Sequence, residues 1–510
     1  MRCERRRVSG GRHRNGTPRQ EAALSATVER PPGLAVYPGS PVVVADTSFM
    51  LARGEGGRVL VVDGDEHGFV GVGRGPGETL LCPLTRVNAQ VLRQRLPWLR
   101  PVRLGLTTSF GFGDRLGLAT PGHVRAVRRF ADRGRRIAAV FAQQSVRENA
   151  RTGRAPQGVL DDAMWGIFQE GWCGAWGADA DHLKTLEDID DFAAAGYTLF
   201  TIDPGDYVDD EIHPAVLEAK VRALPWGALE DTQGDFERRY LASPIDLGGS
   251  TCAFERERLW RAAVKYGRAV AHTTAMYRRL ASRLGDREFE LEVSVDETSS
   301  PTTLAEHVYV AGELRRLGVR WVSLAPRFVG RFEKGVDYIG DPETFARELA
   351  EHAAVAGGAL GPYKLSLHSG SDKFSIYPAM ARLTGGTGGR LVHVKTAGTS
   401  YLEALRAVAH ADPELFAEVV SLARDRYRSD RVTYHVSADV DNVPPPDSIA
   451  IERLPSLLDQ FDARQVLHVT FGSVLERFGG RLHGVLEANE DRYAAHLEEH
   501  LARHLGPLMG

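Results

Sequence analysis

From about residue 102 to the end, short apolar runs alternate with longer stretches whose apolar positions recur at helical spacing. The apolar runs predict strands at 102–109, 136–143, 197–203, 288–296, 319–325, 363–368, 390–395 and 465–470. Between them, helical spacing is plainest at 123–133, 304–317, 344–355 and 400–408. Eight strands alternating with helices predict an α/β fold, a TIM-type (β/α)8 barrel over 101–510, with a seven-strand or open-sheet variant as the alternative. Residues 211–250 fit no strand and read as an insertion near the rim. Ahead of the barrel, 34–100 carries short β-rich runs (SPVVVADT, GRVLVVDG, GFVGVG) broken by Gly and Pro, which predicts a small N-terminal β subdomain.

The polar residues that interrupt this pattern gather where predicted strands end. Asp203 follows TLFTI, Asp296 and Glu297 close ELEVSVDET, and Arg327 follows WVSLAP. His368 ends YKLSLH, His393 and Lys395 lie in RLVHVKTAG, and His468 lies in VLHVTFG. The carboxyl ends of barrel strands share one mouth, so polar chemistry repeated there points to an enzyme.

Composition narrows the class. Apolar residues at 43% and charged residues at 25% are ordinary for a protein with a packed core. A net charge of -4, from 63 basic and 67 acidic side chains, supplies no field to recruit nucleic acid or an anionic membrane. The partner implied is a small molecule, and the oligomeric state is left open. The four cysteines, Cys3, Cys82, Cys173 and Cys252, have no CxxC spacing, which points to a reduced, cytoplasmic setting. No run of 18 apolar residues is present, and the Arg-rich segment 1–33 has neither the apolar stretch of a secretory signal nor aromatic residues among its arginines. It reads as a disordered extension.

The segment YKLSLHSGSDKFSIYP sets a strand against an unbroken polar run. His368 and His393 end neighbouring predicted strands, and His182 in WGADADHLKTLED follows Asp181. Three histidines from separate segments suit a divalent cation with open positions; each is equally readable as a packed core residue, and the spacing leaves metal and no metal open. Asp181, Glu292, Asp296 and Glu297 are the acid/base candidates. Lys364, Lys373 and Lys395 suit an anionic substrate better than a Schiff base. The loops GFGDRLG and TGGTGGR are weak candidates for anion binding through backbone amides.

LHSGSDKFSIYP, together with ADHLKT and EVSVDET, resembles the tagaturonate epimerase family from about residue 35 onward. The resemblance implies a divalent-metal-dependent C4-epimerase of hexuronates, with zinc, manganese, nickel or iron as the cation. It implies His182 as a metal ligand with Asp181 as the acid/base group beside it. His368 and His393 match the other ligands, and Asp296 or Glu297 the opposite acid/base group. In the same reading Lys364, Lys373 and Lys395 hold the substrate carboxylate while Ser371 and Asp372 bind hydroxyls. A metal-dependent sugar isomerase or aldolase, and a non-catalytic sugar-acid binding protein, are the competing readings.

Overall fold

The computed structural model describes residues 33–74, 78–131, 137–247, 251–385 and 391–509. The basic extension, except Gly33, and most of the TGGTGGR loop lie outside the described residues. The chain divides into two compact units, Met1–Arg95 and Leu96–Gly510.

In the first unit the β-rich runs become β1 (Ala35–Val36), β2 (Val42–Val44), β3 (Thr47–Gly54), β4 (Gly57–Asp63), β5 (Gly73–Arg74) and β6 (Leu80–Pro83), followed by a helix at Arg86–Arg95. They pair antiparallel in the order β1-β3-β4-β6-β5, with β2 also on β3. Alternation puts Met50, Ala52 and Val61 on one face, where Leu34, Val36, Val59 and Leu81 pack on them.

The second unit is a closed barrel of eight parallel strands. The first four are β7 (Ser109–Gly113), β8 (Ala138–Ser145), β9 (Trp176–Leu183) and β10 (Leu199–Ile202). A small ribbon, β11 (Ile245–Asp246) with β12 (Thr251–Cys252), precedes the rest: β13 (Glu290–Val295), β14 (Ser323–Pro326), β15 (Lys364–Leu367) and β16 (Val392–Thr396). Neighbours in the barrel follow chain order, and β16 closes it on β7 through His393 opposite Ser109 and Lys395 opposite Gly111.

Period-two alternation sorts each strand. Phe200, Ile202, Leu291, Val293, Leu365, Leu367, Val392 and Val394 are buried on the side of the surrounding helices. Each such side chain contributes roughly 1.5–3 kcal/mol by leaving water. The intervening positions fill the lumen with Asp179, Asp181, Thr201, Glu290, Glu292, Ser294, Lys364, Ser366, His393 and Lys395, all buried. Among the described residues no helix is long and apolar enough to cross a membrane.

The expected helices form at Thr120–Arg128, Leu304–Arg316, Pro342–Gly357 and Thr399–Ala411. Leu304–Arg316 begins with a reciprocal Thr303/Glu306 capping box. The insertion is helical at Leu217–Arg222 and Gln233–Leu241; Leu217 and Val221 of the first helix pack on Val264 of the long helix Arg256–Leu284.

Three expectations are corrected. The first barrel strand is β7, not 102–109. Consequently GFGDRLG is half strand, and the amides of Leu116, Gly117 and Ala119 are taken by the Asp114 carboxylate rather than offered to an anion. The run 465–470 belongs to the helix Phe461–Val469, where Gln465, Val466, Leu467, His468 and Val469 are all buried. A helix segment buried on all sides shows the same continuous apolar run as a buried strand. The strand not foreseen is β9, whose inward positions are aspartates.

Candidate active site

Lys395 on β16 is the hub of the lumen. Its ammonium lies 2.7 Å from Asp179, 2.7 Å from Asp181 and 2.9 Å from Glu292, and donates to Thr201. One lysine cannot neutralise three buried carboxylates, and the surplus divides unevenly. Burial pushes Asp179 up to about 6 even against Lys395. Burial opposes the charge on Asp181 too, but His182 and Lys395 beside it hold its carboxyl well below the usual range.

A bulge delivers the next group. Ala180 pairs with Phe200 and Leu183 with Ile202, so Asp181 and His182 together oppose Thr201 alone. His182 adopts φ +55°, and both side chains line the same cavity of about 500 Å³ instead of opposite faces. The His182 Nδ1 lies 2.8 Å from Asp181, and its ring centre lies 4.9 Å from that of His368.

His368 directly follows β15. Its Nε2 lies 2.7 Å from Glu292 and its Nδ1 3.2 Å from Asp296. Burial works against a charged imidazole, yet Asp296 and Glu292 push it up to about 10. His182, Asp296 and His368 each offer a ligand atom, all within 4.8 Å of one another; His182, Asp203 and Glu297 form a second such set. Lys184 joins the lip by reaching Glu297 at 3.2 Å, Asp206 at 3.3 Å and Asp203 at 3.4 Å. Among the described residues, Asp179, Asp181, Asp203, Glu292, Asp296 and Glu297 pair with Lys184, Lys395 and, 3.8 Å from Glu297, Arg147, and with the imidazoles of His182 and His368.

Asp181, His182, Asp296, Glu297, His368 and Lys395 thus come together around the cavity. Glu292 stands behind them on His368 and Lys395, whereas His393, Lys364, Lys373, Ser371 and Asp372 do not join the group. His393 sits two residues deeper on β16, its Nδ1 2.8 Å from Ser109, and belongs to neither ligand set. Burial depresses it to about 3. Lys364 is spent on the Gly105 carbonyl and Ser109, each at 3.2 Å. Lys373 donates to the carbonyls of Glu333, Val336 and Ser371. Ser371 accepts from the Ala397 amide, and Asp372 is 2.7 Å from His500 and 3.2 Å from Arg464.

The reason lies in the backbone just past His368. Ser369 at φ +49° and Asp372 at φ +63° turn the chain away from the cavity. Gly370 allows the turn to lie on β16: a Cβ there would meet Val394 at 2.6 Å, and the Gly370 amide donates to the Lys395 carbonyl.

Sequence reasoning missed Asp179 and Thr201, although WGADAD does carry the period-two signal. It also missed Lys334, which lines the cavity from an irregular segment, and Arg147, which lines it two residues past the end of β8.

Comparison with known proteins identifies the family. The tagaturonate epimerase family model matches residues 37–508. The chain belongs to the tagaturonate epimerase family. It is therefore an enzyme, an isomerase acting on a carbohydrate. A tagaturonate/fructuronate epimerase of Thermotoga maritima is 44% identical over 485 residues, 94% of this chain and 98% of that protein. The native crystal structure of a fructuronate-tagaturonate epimerase from Cohnella laeviribosi superposes with a TM-score of 0.86 at 36% identity, covering 93% of this chain and 96% of that one. A form of the same epimerase with one glycerol gives 0.86 at 37% identity with the same coverage.

Proposed function

We propose that this tagaturonate epimerase family member interconverts D-tagaturonate and D-fructuronate by inverting C4. In this reading His182, His368 and Asp296 hold a divalent cation, while Asp181 and Glu297 are the acid/base pair. One observation carries it: six carboxylates gathered against two lysines and one arginine, with two imidazoles among them. Buried like charges at this density call for a cation or for protons, so the donor set fits a metal. Two imidazoles and a carboxylate suit zinc, manganese, nickel or iron alike. Bound there, a divalent cation would supply Lewis acidity toward the ketone end of the sugar and offset the surplus negative charge.

The C4 hydrogen of a 2-keto sugar acid is two carbons from the carbonyl and is not acidified by it. Asp181, kept ionised by His182 and Lys395, is the base that takes the C4 hydroxyl proton. As that proton leaves, C4–O becomes a carbonyl, the C3–C4 bond breaks, and its electron pair passes to C3 and into the C2 carbonyl. The aldehyde turns its other face, the bond re-forms, and the proton returns to O4. Glu297, at the more exposed lip beside Lys184, serves the opposite face. A cytoplasmic setting belongs to the same proposal, because Cys82, Cys173 and Cys252 are free thiols.

NMR of tagaturonate in deuterated water, with chelator-treated and metal-restored protein, tests the reading. Fructuronate is expected only after restoration, with protium kept at C4. Deuterium entering at C4 would replace bond cleavage by prior migration of the carbonyl to C3. Absence of interconversion with all four cations would refute the activity.

A further inference from the structure

A hexuronate ketose carries its carboxylate at C6, four carbons from the C2 ketone and two beyond the inverted carbon. If the ketone end lies over His182, His368 and Asp296, the far end of the cavity must meet a full negative charge. This inference rests on the activity proposed above. The lysines first expected to meet that charge are committed elsewhere, so the question is which lining cation is free to do so.

Arg115 is paired with Glu148 at 2.7 Å, both buried. Lys395 is shared among three carboxylates. Arg331 is mostly exposed and 3.5 Å from Glu333. Lys334 differs from all three: its ammonium donates to Ser369 Oγ at 2.7 Å, and among the described residues no carboxylate lies within ion-pair distance. The charges nearest to it are of both signs, Arg147 and Arg115 against Glu148 and Glu297. A cation drawn in from water with a hydroxyl rather than a carboxylate as its bonded partner gains when an anion arrives.

Two further observations aim Lys334 at substrate. Its partner Ser369 is the residue after His368 and sits at φ +49°, a left-handed conformation a serine adopts at a cost. The hydrogen bond to Ser369 holds the ammonium against the residue that follows His368. Arg147 is oriented by the Tyr434 ring, its guanidinium 5.4 Å from the ring centre, and both line the cavity with Lys334. Lys334, Arg147 and Arg115 thus gather positive charge along one part of the cavity lining.

We propose that Lys334, steered by Ser369 and backed by Arg147, binds the C6 carboxylate of the hexuronate and so sets the preference for the acid over the uncharged ketose. The test is steady-state kinetics of the metal-loaded full chain on tagaturonate and on D-tagatose, with wild type, Lys334→Met, Lys334→Arg and Arg327→Met. Where tagatose turns over too slowly to follow, its inhibition constant against tagaturonate serves.

Loss of one charge-assisted contact predicts that Lys334→Met raises KM for tagaturonate about 10–100-fold with kcat within about threefold. The ratio of kcat/KM for the acid to that for tagatose should fall by a similar factor, and Lys334→Arg should recover most of it. Arg327 also lines the cavity without an ion-pair partner among the described residues, and Arg327→Met is the variant that separates the two cations, with a smaller rise in KM expected than for Lys334→Met. An unchanged KM in Lys334→Met, equal losses on both sugars, or an effect carried by Arg327→Met in its place would overturn the assignment. Should the methionine variant not fold, Ser369→Ala reports on the same subsite through a smaller rise in the same KM; no rise would overturn it. Wild-type protein inert on tagaturonate would overturn the activity itself, and the assignment with it.

Discussion

His182, His368 and Asp296 at the barrel mouth, and Asp372, His500 and His504 between the turn after β15 and the C-terminal helix Glu490–Met509, are built from the same residue types. In both sets the ligand atoms lie within 4.8 Å of one another. The second set is closed. His504 Nδ1 donates to the His500 carbonyl, and its Nε2 accepts the Asp372 amide at 2.9 Å, so no lone pair is left on the ring. Asp372 is balanced by Arg464, and His500 lies between Asp372 and Glu403. At the mouth, by contrast, carboxylates outnumber cations and the groups line a cavity. Residue identity does not separate the two sets; charge balance and access to a cavity do.

The largest expected effects fall on the open set. His368→Ala should lose both the bound cation and at least ~10³-fold in turnover, with the fold kept, because the side chain is replaced beside a cavity. Asp181→Asn should keep the cation and lose ~10²–10⁴ in kcat, the range for a positioned base. Metal content by mass spectrometry beside kcat separates the two variants. A His368→Ala protein with wild-type metal and turnover would remove it from the ligand set. Near-normal turnover of Asp181→Asn would remove that carboxylate from the chemistry.

The closed set should answer in stability instead. Asp372→Ala leaves Arg464 and His500 without their shared counter-charge and should cost about 3 kcal/mol, read from denaturant unfolding. Metal content per folded chain should stay at the wild-type level. Metal loss in that variant would show that the two clusters are not independent.

Only part of this contrast was legible in the sequence. The strands β13, β15 and β16 could be read because their outward positions are Leu and Val, and their ends named His368, Asp296 and Lys395. β9 could not, because its outward positions are small alanines and its inward ones are aspartates that only make sense once Lys395 stands across the lumen. HSGSDK reads as one continuous polar site. Positive φ at Ser369 and Asp372 splits it, sending His368 to the cavity and Asp372 to the C-terminal helix. Neither that split nor the distant partners His500 and His504 leave a local signal, and Lys334 lies in an irregular segment far from any strand end. The proton-accepting tautomer of His504 is likewise a property of the fold alone.

That tautomer gives the smallest and most specific expectation. Burial, together with His500, pushes His504 down to about 3, whereas an unfolded histidine titrates near 6.5. Between those values the unfolded chain binds a proton that the folded chain refuses, so stability falls as pH drops through this window. By pH 5 the loss from His504 is on the order of 2 kcal/mol. Glutamine at 504 still presents an acceptor to the Asp372 amide but does not titrate. His504→Gln should therefore be slightly less stable than wild type at pH 8 and should close the gap, or overtake it, at pH 5. Unfolding curves for the two proteins that stay parallel from pH 8 to 5 would mean that His504 does not hold its neutral form, and the cluster would then no longer be the closed counterpart of the mouth.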